Sequence, residues 1–180
     1  MLQDKLTVLR PVEEKDIPYY SAWINEPELA RLVLGSAAPI SRNVMSKTFG
    51  TFFRSSDRNL LFAIDGLPEG KLIGFCFLKN VHPVHRFAEL EQFFIGEKKY
   101  RQNGYGRDAL QTLIKYAFNE LNLNRIWLIT YNYNQAAIRF YEKEGFIQEG
   151  VLRQIQFTCG RYYDGILMAV LREDWAEKNA

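Results

Sequence analysis

Residues 93–121 constrain the fold of this chain more than any other stretch. Phe93-Phe94-Ile95 is an apolar, strand-like run, and YRQNGYGR follows at 100–107. From Asp108 to Leu121, the residues Leu110, Leu113, Ile114, Ala117 and Leu121 form one apolar stripe at helical spacing. A strand, a glycine-bearing turn and an amphipathic helix in so short a span require a helix packed back onto a sheet. Gly104 and Gly106 allow positive φ and close backbone approach. The first turn of the helix presents unpaired N–H groups with partial positive charge, and Arg101 and Arg107 add charge at the rim. Spacing alone leaves two readings open: an anion site, or a plain turn with surface arginines.

Three phosphate-binding patterns compete here. A P-loop fails, because no lysine or hydroxyl residue follows Gly106. A dinucleotide fingerprint finds its first two glycines in Gly104 and Gly106, with Ala109 at the third position. That unit is not N-terminal in a repeated βαβ array, and no acidic residue ends the next strand. The third pattern is R-x-x-G-x-G, on Arg101, Gly104 and Gly106.

Elsewhere Leu6–Arg10 alternates as a first strand, and Glu13–Asn25 has helical spacing through Ile17, Tyr20 and Ile24. Pro27 opens a second short helix. Gly35–Ile40 is a loop, and Ser41 caps a helix to about Arg54. Leu60–Ile64 and Lys71–Lys79 read as a hairpin around a turn at 66–70, and Phe87–Ile95 as a third strand. Arg125–Tyr131 is a strand. Asn134 caps a helix over Gln135–Glu144, which Gly145 ends as a left-handed residue. Phe146–Leu152 and Tyr162–Leu171 close the chain as strands. The order predicts a mixed sheet with helices packed on it, α/β to α+β, and one domain over 1–180.

The 180 residues carry a formal net charge of +2, which gives no electrostatic case for nucleic acid as the partner. No signal-like start or membrane-length apolar run stands out, so a cytoplasmic protein away from membranes is expected. Cys76 and Cys159 make no disulfide framework, and both are expected reduced. His82 and His85 form H-x-x-H without a third or fourth ligand at clear spacing, so no metal is expected.

The stretch from Ala88 to Leu152 resembles the GCN5-related N-acetyltransferase (GNAT) superfamily, in its branch of ribosomal-protein-alanine and spermidine acetyltransferases. The similarity rests on the strand with R-x-x-G-x-G and helix, then YNYNQAAIRFYEKEGF, then EGVLRQ. The opening LRPVEEKDIPYY and closing YYDGILMAVLREDW extend it over nearly the whole chain. The resemblance implies a mixed, mostly antiparallel sheet of six to seven strands with flanking helices. It also implies acetyl-CoA as cosubstrate, in a cleft between two splayed central strands.

The same resemblance implies residue roles. The pantetheine arm would pair with Phe93, Phe94 and Ile95. The pyrophosphate would meet the N–H groups of Gln102, Asn103, Gly104, Tyr105, Gly106 and Arg107, flanked by Arg101. Asn134 matches the asparagine that faces the cofactor; a cap alone would also explain it, at about 1 kcal/mol. Tyr141 matches the tyrosine that protonates the leaving thiolate, a transfer that suits a phenol near pKa 10. A core tyrosine beside Ile138 is the plainer alternative. A backbone N–H near Phe94 or Ile95 would serve the developing oxyanion, and Glu89 or Glu91 the amine proton. The chain departs from its relatives here: AELEQFFIGE is one residue longer, which implies a β-bulge near Glu91-Gln92. Some relatives carry an acid on the next strand, where this chain has Ile129.

The acceptor is a primary amine: a protein N-terminus or a small amine on one reading, a polyamine or amino sugar on the other. Specificity is expected in the N-terminal helices and in the segments 80–87 and 154–163. VHPVHRFAE is similar to spermidine acetyltransferases. Between Glu28 and Ser55, however, Glu28 stands alone against Arg31, Arg42, Lys47 and Arg54, a poor match for a polycation. Phe49, Phe52 and Phe53 read as core. A non-catalytic acetyl-CoA-binding module is the rival of another class. The quaternary expectation is monomer or homodimer.

Overall fold

The structure is a computed structural model that describes residues 1–36, 39–41, 43–44 and 58–178. Strands β1 (Leu2–Gln3) and β2 (Thr7–Pro11) lead through a 3-10 turn at Glu14–Asp16 into helices α1 (Ile17–Ile24) and α2 (Pro27–Leu34). Strands β3 (Leu60–Gly66), β4 (Lys71–His82) and β5 (Phe87–Ile95) precede helix α3 (Tyr105–Asn119). Strand β6 (Arg125–Tyr131), helix α4 (Gln135–Lys143), strands β7 (Ile147–Thr158) and β8 (Arg161–Leu171), and helix α5 (Arg172–Lys178) complete the order.

Among the described residues the strands form one eight-stranded sheet in the order β1-β2-β3-β4-β5-β6-β8-β7. Every neighbouring pair is antiparallel except β5 with β6, which the α3 crossover makes parallel. The expected six to seven strands become eight because Leu2–Gln3 adds an edge strand too short to show a period.

Each face of the sheet carries its own core. On one face α3 buries Ala109, Leu110, Leu113, Ile114, Ala117 and Phe118 against Ile64, Ile73, Leu90, Leu128 and Met168. On the other, α1 and α2 set Ile17, Tyr20, Ile24 and Leu29 against Phe75, Phe77 and Phe94. Phe75 and Phe77 are fully buried, and each such side chain stabilises the fold by about 1.5–3 kcal/mol. Arg10 fastens the first strands together: it forks onto Asp16 at 2.7 and 2.8 Å and reaches Asp65 at 2.7 Å.

The helix signals act where the sequence puts them. Pro27 starts α2 and Gly35 ends it at φ 70°. Ser41 Oγ accepts from the Val44 N–H at 3.2 Å, the bond of an N-cap. The rest of that expected helix, with Arg42, Lys47, Phe49, Phe52, Phe53 and Arg54, lies outside the described residues. No described helix is long and apolar enough to cross a membrane.

Candidate active site

Strands β5 and β6 meet at only one end. Their register pairs Phe87 with Arg125, Ala88 with Ile126 and Glu89 with Trp127. Past those pairs the strands part, so residues 90–95 and 128–131 face each other across an opening. A cavity of ≈ 720 Å³ fills it.

A bulge in β5 decides what the opening contains. Gln92 sits opposite Phe77 and Leu90 opposite Leu78, which leaves Glu91 as the extra residue. The insertion falls where the longer AELEQFFIGE segment implied. It also inverts the alternation of side chains. Ala88 and Leu90 face the α3 core before the bulge, and Phe93 and Ile95 face it afterwards. Gln92 and Phe94 therefore turn to the α1 side, where Phe94 joins that core and Gln92 meets Tyr20. On β6, Leu128 belongs to the α3 core, and alternation sends Ile129 the other way. The cavity thus runs through the sheet. One mouth is lined by Phe93, Ile95, Gly106, Asn134, Phe140 and Tyr141, the other by Leu29, Leu32, Val33, Gln92 and Ile129.

The glycine turn forms the floor of the first mouth. Gly104 is the N-cap of α3 at φ 87°, in the left-handed region. The first helical bond runs from the Asp108 N–H to the Gly104 carbonyl at 3.0 Å. The N–H groups of Tyr105, Gly106 and Arg107 therefore have no acceptor within the helix. The Asp108 carboxylate turns away from the cavity, accepting from the Leu6 N–H at 3.1 Å and the Thr7 hydroxyl at 2.7 Å. That contact fixes the helix terminus against β2.

The two arginines differ in what they hold. Arg101 turns inward, donating from Nε to the Ile95 carbonyl and from Nη2 to the Gly96 carbonyl, each at 2.8 Å. Arg107 is exposed and lies 3.4 Å from Glu144, a buried carboxylate that also accepts from Gln111 Nε2 at 2.7 Å. Both arginines line the cavity, as do Phe94, Gln102 and Gly104. Asn103 and Tyr105 do not have side chains there. Asn103 Nδ2 donates to the Lys99 carbonyl, and the Tyr105 hydroxyl donates to the Leu67 carbonyl.

Asn134 Oδ1 accepts from the Ala137 N–H at 3.2 Å, capping α4. Its Nδ2 has no partner among the described residues. Tyr141 is 8% exposed, wedged between Phe140 and Phe146. Burial pushes its phenol well above the ordinary value. Its hydroxyl also has no partner among the described residues. Of the two candidate glutamates, Glu91 lines the cavity and pairs with Lys79 at 2.6 Å. Glu89 lies outside it, held by Asn80 Nδ2 at 2.9 Å.

Several lining residues escape sequence reasoning. Leu29, Leu32 and Val33 read only as an apolar helix face, and Gln92 only as one polar residue in a strand. The rings of His82, His85 and Phe87 stack, with His82 and His85 centroids 4.4 Å apart. Among the described residues, no three His, Cys, Asp or Glu side chains gather as a metal set.

Splayed central strands, with a glycine-capped helix N-terminus at the mouth between them, define the acetyltransferase fold of GNAT type. The family model described as "Acetyltransferase (GNAT) domain" matches residues 7–147, and the chain belongs to that family. YdaF of Bacillus subtilis, provisionally named a ribosomal N-acetyltransferase, is 28% identical over 170 residues, 93% of this chain and 92% of its own. The spermidine N(1)-acetyltransferase of Escherichia coli K12 is 27% identical over 167 residues, 93% of this chain and 87% of its own. Among solved structures, the Vibrio cholerae spermidine N-acetyltransferase in complex with CoA and spermine superposes with a TM-score of 0.84. It is 24% identical, over 94% of this chain and 98% of that one.

Proposed function

We propose that this acetyltransferase moves acetyl from acetyl-CoA to a single primary amine on a largely uncharged body, the N-terminus of a peptide chain fitting best. One observation carries the reading. Among the described residues the α2-side mouth is walled by Leu29, Leu32, Val33 and Ile129, and its one carboxylate, Glu91, is already paired with Lys79. Such a wall has little net charge to offer a polycation, while the Glu91 oxygen that does not meet Lys79 is left to orient one ammonium group.

The α3-side mouth suits coenzyme A. The free N–H groups of 105–107 and the positive end of α3 match a pyrophosphate, and Gly104 and Gly106 keep side chains out of the way. The open edge of Phe93–Ile95 offers strand-like hydrogen bonds to an amide-bearing arm. Asn134 Nδ2 adds a donor. When bound, the thioester supplies an activated acetyl group. Tyr141 holds a proton for the departing sulfur, and its burial keeps that proton in place at neutral pH. Glu91 accepts the proton of the amine, directly or through a water. A backbone N–H near Phe94 or Ile95 faces the carbonyl oxygen.

A second reading, a polyamine acceptor, is favoured by the likeness to spermidine acetyltransferases along 93% of the chain. Free-thiol release from acetyl-CoA decides between them, read with N-terminal peptides, spermidine and amino sugars as acceptors. Turnover with peptides and little with spermidine is the expected result. Efficient turnover with spermidine alone overturns the peptide reading.

A further inference from the structure

We infer that the Gln92 carboxamide selects the acceptor by donating a hydrogen bond to a carbonyl oxygen one carbon away from the reacting amine. The inference rests on the peptide reading above and names the group that would enforce it.

Gln92 is a polar residue in a place that normally excludes one. It is 7% exposed, on a central strand, and it turns toward the α1 side only because Glu91 is inserted before it. The Tyr20 hydroxyl donates to Gln92 Oε1 at 2.9 Å. Tyr20 is itself buried, which pushes its phenol up to about 12, so it remains a donor across physiological pH. The amide lies with its oxygen toward Tyr20 and its nitrogen away from it. Gln92 lines the cavity, and its Nε2 has no partner among the described residues. That nitrogen is open to the cavity, and a donor with no protein partner there is available to an acceptor atom of a bound molecule.

The neighbouring groups define the ligand. Glu91 and Gln92 are consecutive and both line the cavity, so a carboxylate and an N–H donor open on the same space. A peptide N-terminus presents the complement: an ammonium group and, one carbon away, a carbonyl oxygen. A polyamine has the ammonium groups and no carbonyl, and would leave Gln92 Nε2 unsatisfied.

The test compares L-alaninamide with sec-butylamine, which has the same branching and no carbonyl. The ratio of their kcat/KM values is measured in the wild type, Gln92→Leu and Gln92→Glu; comparing ratios cancels intrinsic amine reactivity. The ratio should fall about tenfold or more in Gln92→Leu, the scale of one buried hydrogen bond. It should fall further in Gln92→Glu, whose carboxylate still accepts from Tyr20 but repels a carbonyl. KM for acetyl-CoA should stay at the wild-type value in both. An unchanged ratio in either folded variant overturns the inference, as does a loss spread equally over both amines with a raised KM for acetyl-CoA. Thermal melts identify a variant that has not folded; if Gln92→Leu is lost this way, Gln92→Glu decides. Good peptide turnover with an unchanged ratio removes Gln92 alone. A wild type that acetylates polyamines and no carbonyl-bearing amine overturns the peptide reading, and this inference with it.

Discussion

Arg101 holds Ile95: its Nε donates to the Ile95 carbonyl at 2.8 Å, at the point where β5 runs out into the glycine loop. Its Nη2 takes the next carbonyl, Gly96, also at 2.8 Å. The guanidinium therefore acts as a staple between strand and loop, while the loop's own N–H groups are left to meet an anion. A lysine has one point of charge and cannot fork across two carbonyls. Arg101→Lys should lower stability by about 1–3 kcal/mol and raise KM for acetyl-CoA modestly, through displacement of the loop. In Arg101→Gln, which removes the charge, the salt dependence of KM for acetyl-CoA should stay at the wild-type value, because the guanidinium faces two carbonyls and, at 3.9 Å, Glu26. Thermal melts and an ionic-strength series check both halves. A flattened salt dependence would put the charge on the phosphates instead.

Tyr141 bears on pH as well as rate. Burial raises its phenol, so the group is protonated, and competent as an acid, throughout the range below its folded value. The amine works in the opposite sense: it must lose its proton, and a peptide α-amine does so near pH 7.7–8.0. The kcat/KM profile with a peptide acceptor should rise with pH through that region. It should show no descending limb below about pH 10, the unperturbed phenol value. Tyr141→Phe should lower kcat by about a hundredfold or more and leave KM for acetyl-CoA near its original value. An unchanged kcat would remove the acid role, and a descending limb near neutral pH would contradict the protonated phenol.

How far the sequence reaches is clear from particular residues. The ranges Phe87–Ile95 and Arg125–Tyr131 were readable because apolar residues recur through each at strand spacing between polar or glycine flanks, and both strands begin and end there. Gly145 was readable as a helix stop, and it stands at φ 101°. Strand β7 runs on to Thr158, past the expected end at Leu152. Its extension alternates through Gln154, Ile155, Gln156, Phe157 and Thr158, but Gln154 at φ 52° and a register shift between Leu152 and Gln156 break the period, and Ile155 and Phe157 lie exposed. Helix α5 has no fully buried residue to give it a stripe. The inserted residue at Glu91 could be counted from the sequence. Its consequence, which face each later side chain takes, needed the partner strand. The inward turn of Arg101 needed the position of two carbonyls. The Tyr20–Gln92 bond joins positions 72 apart in the chain, and no local pattern encodes it.

Gly104 offers a test that separates loop geometry from fold. Its φ of 87° is open to glycine and strained for any residue with a Cβ, and an added Cβ would also meet Leu6 Cδ1 at 3.4 Å. Gly104→Val should cost about 1–2 kcal/mol in backbone strain, which a domain of ordinary stability tolerates. The shifted loop should lose acetyl-CoA binding by calorimetry while circular dichroism stays native. Wild-type affinity in this variant would remove the loop from the cofactor site.

Asn134 combines two duties in one side chain, and they can be taken apart. Oδ1 caps α4 through the Ala137 N–H at 3.2 Å, while Nδ2 is the end proposed to meet the cofactor. Asn134→Ala removes both, so its stability should drop by about 1 kcal/mol and KM for acetyl-CoA should rise. Asn134→Asp keeps the cap, since a carboxylate oxygen accepts from the same N–H and suits a helix N-terminus. It replaces the donor with an anion, however. Its melting temperature should therefore match the wild type or exceed it, while KM for acetyl-CoA rises at least as much as in Asn134→Ala. If Asn134→Asp instead binds acetyl-CoA as the wild type does, Asn134 is a cap and nothing more. If both variants lose stability together, the carboxylate has failed to replace the cap and the split between the two ends of the side chain is refuted.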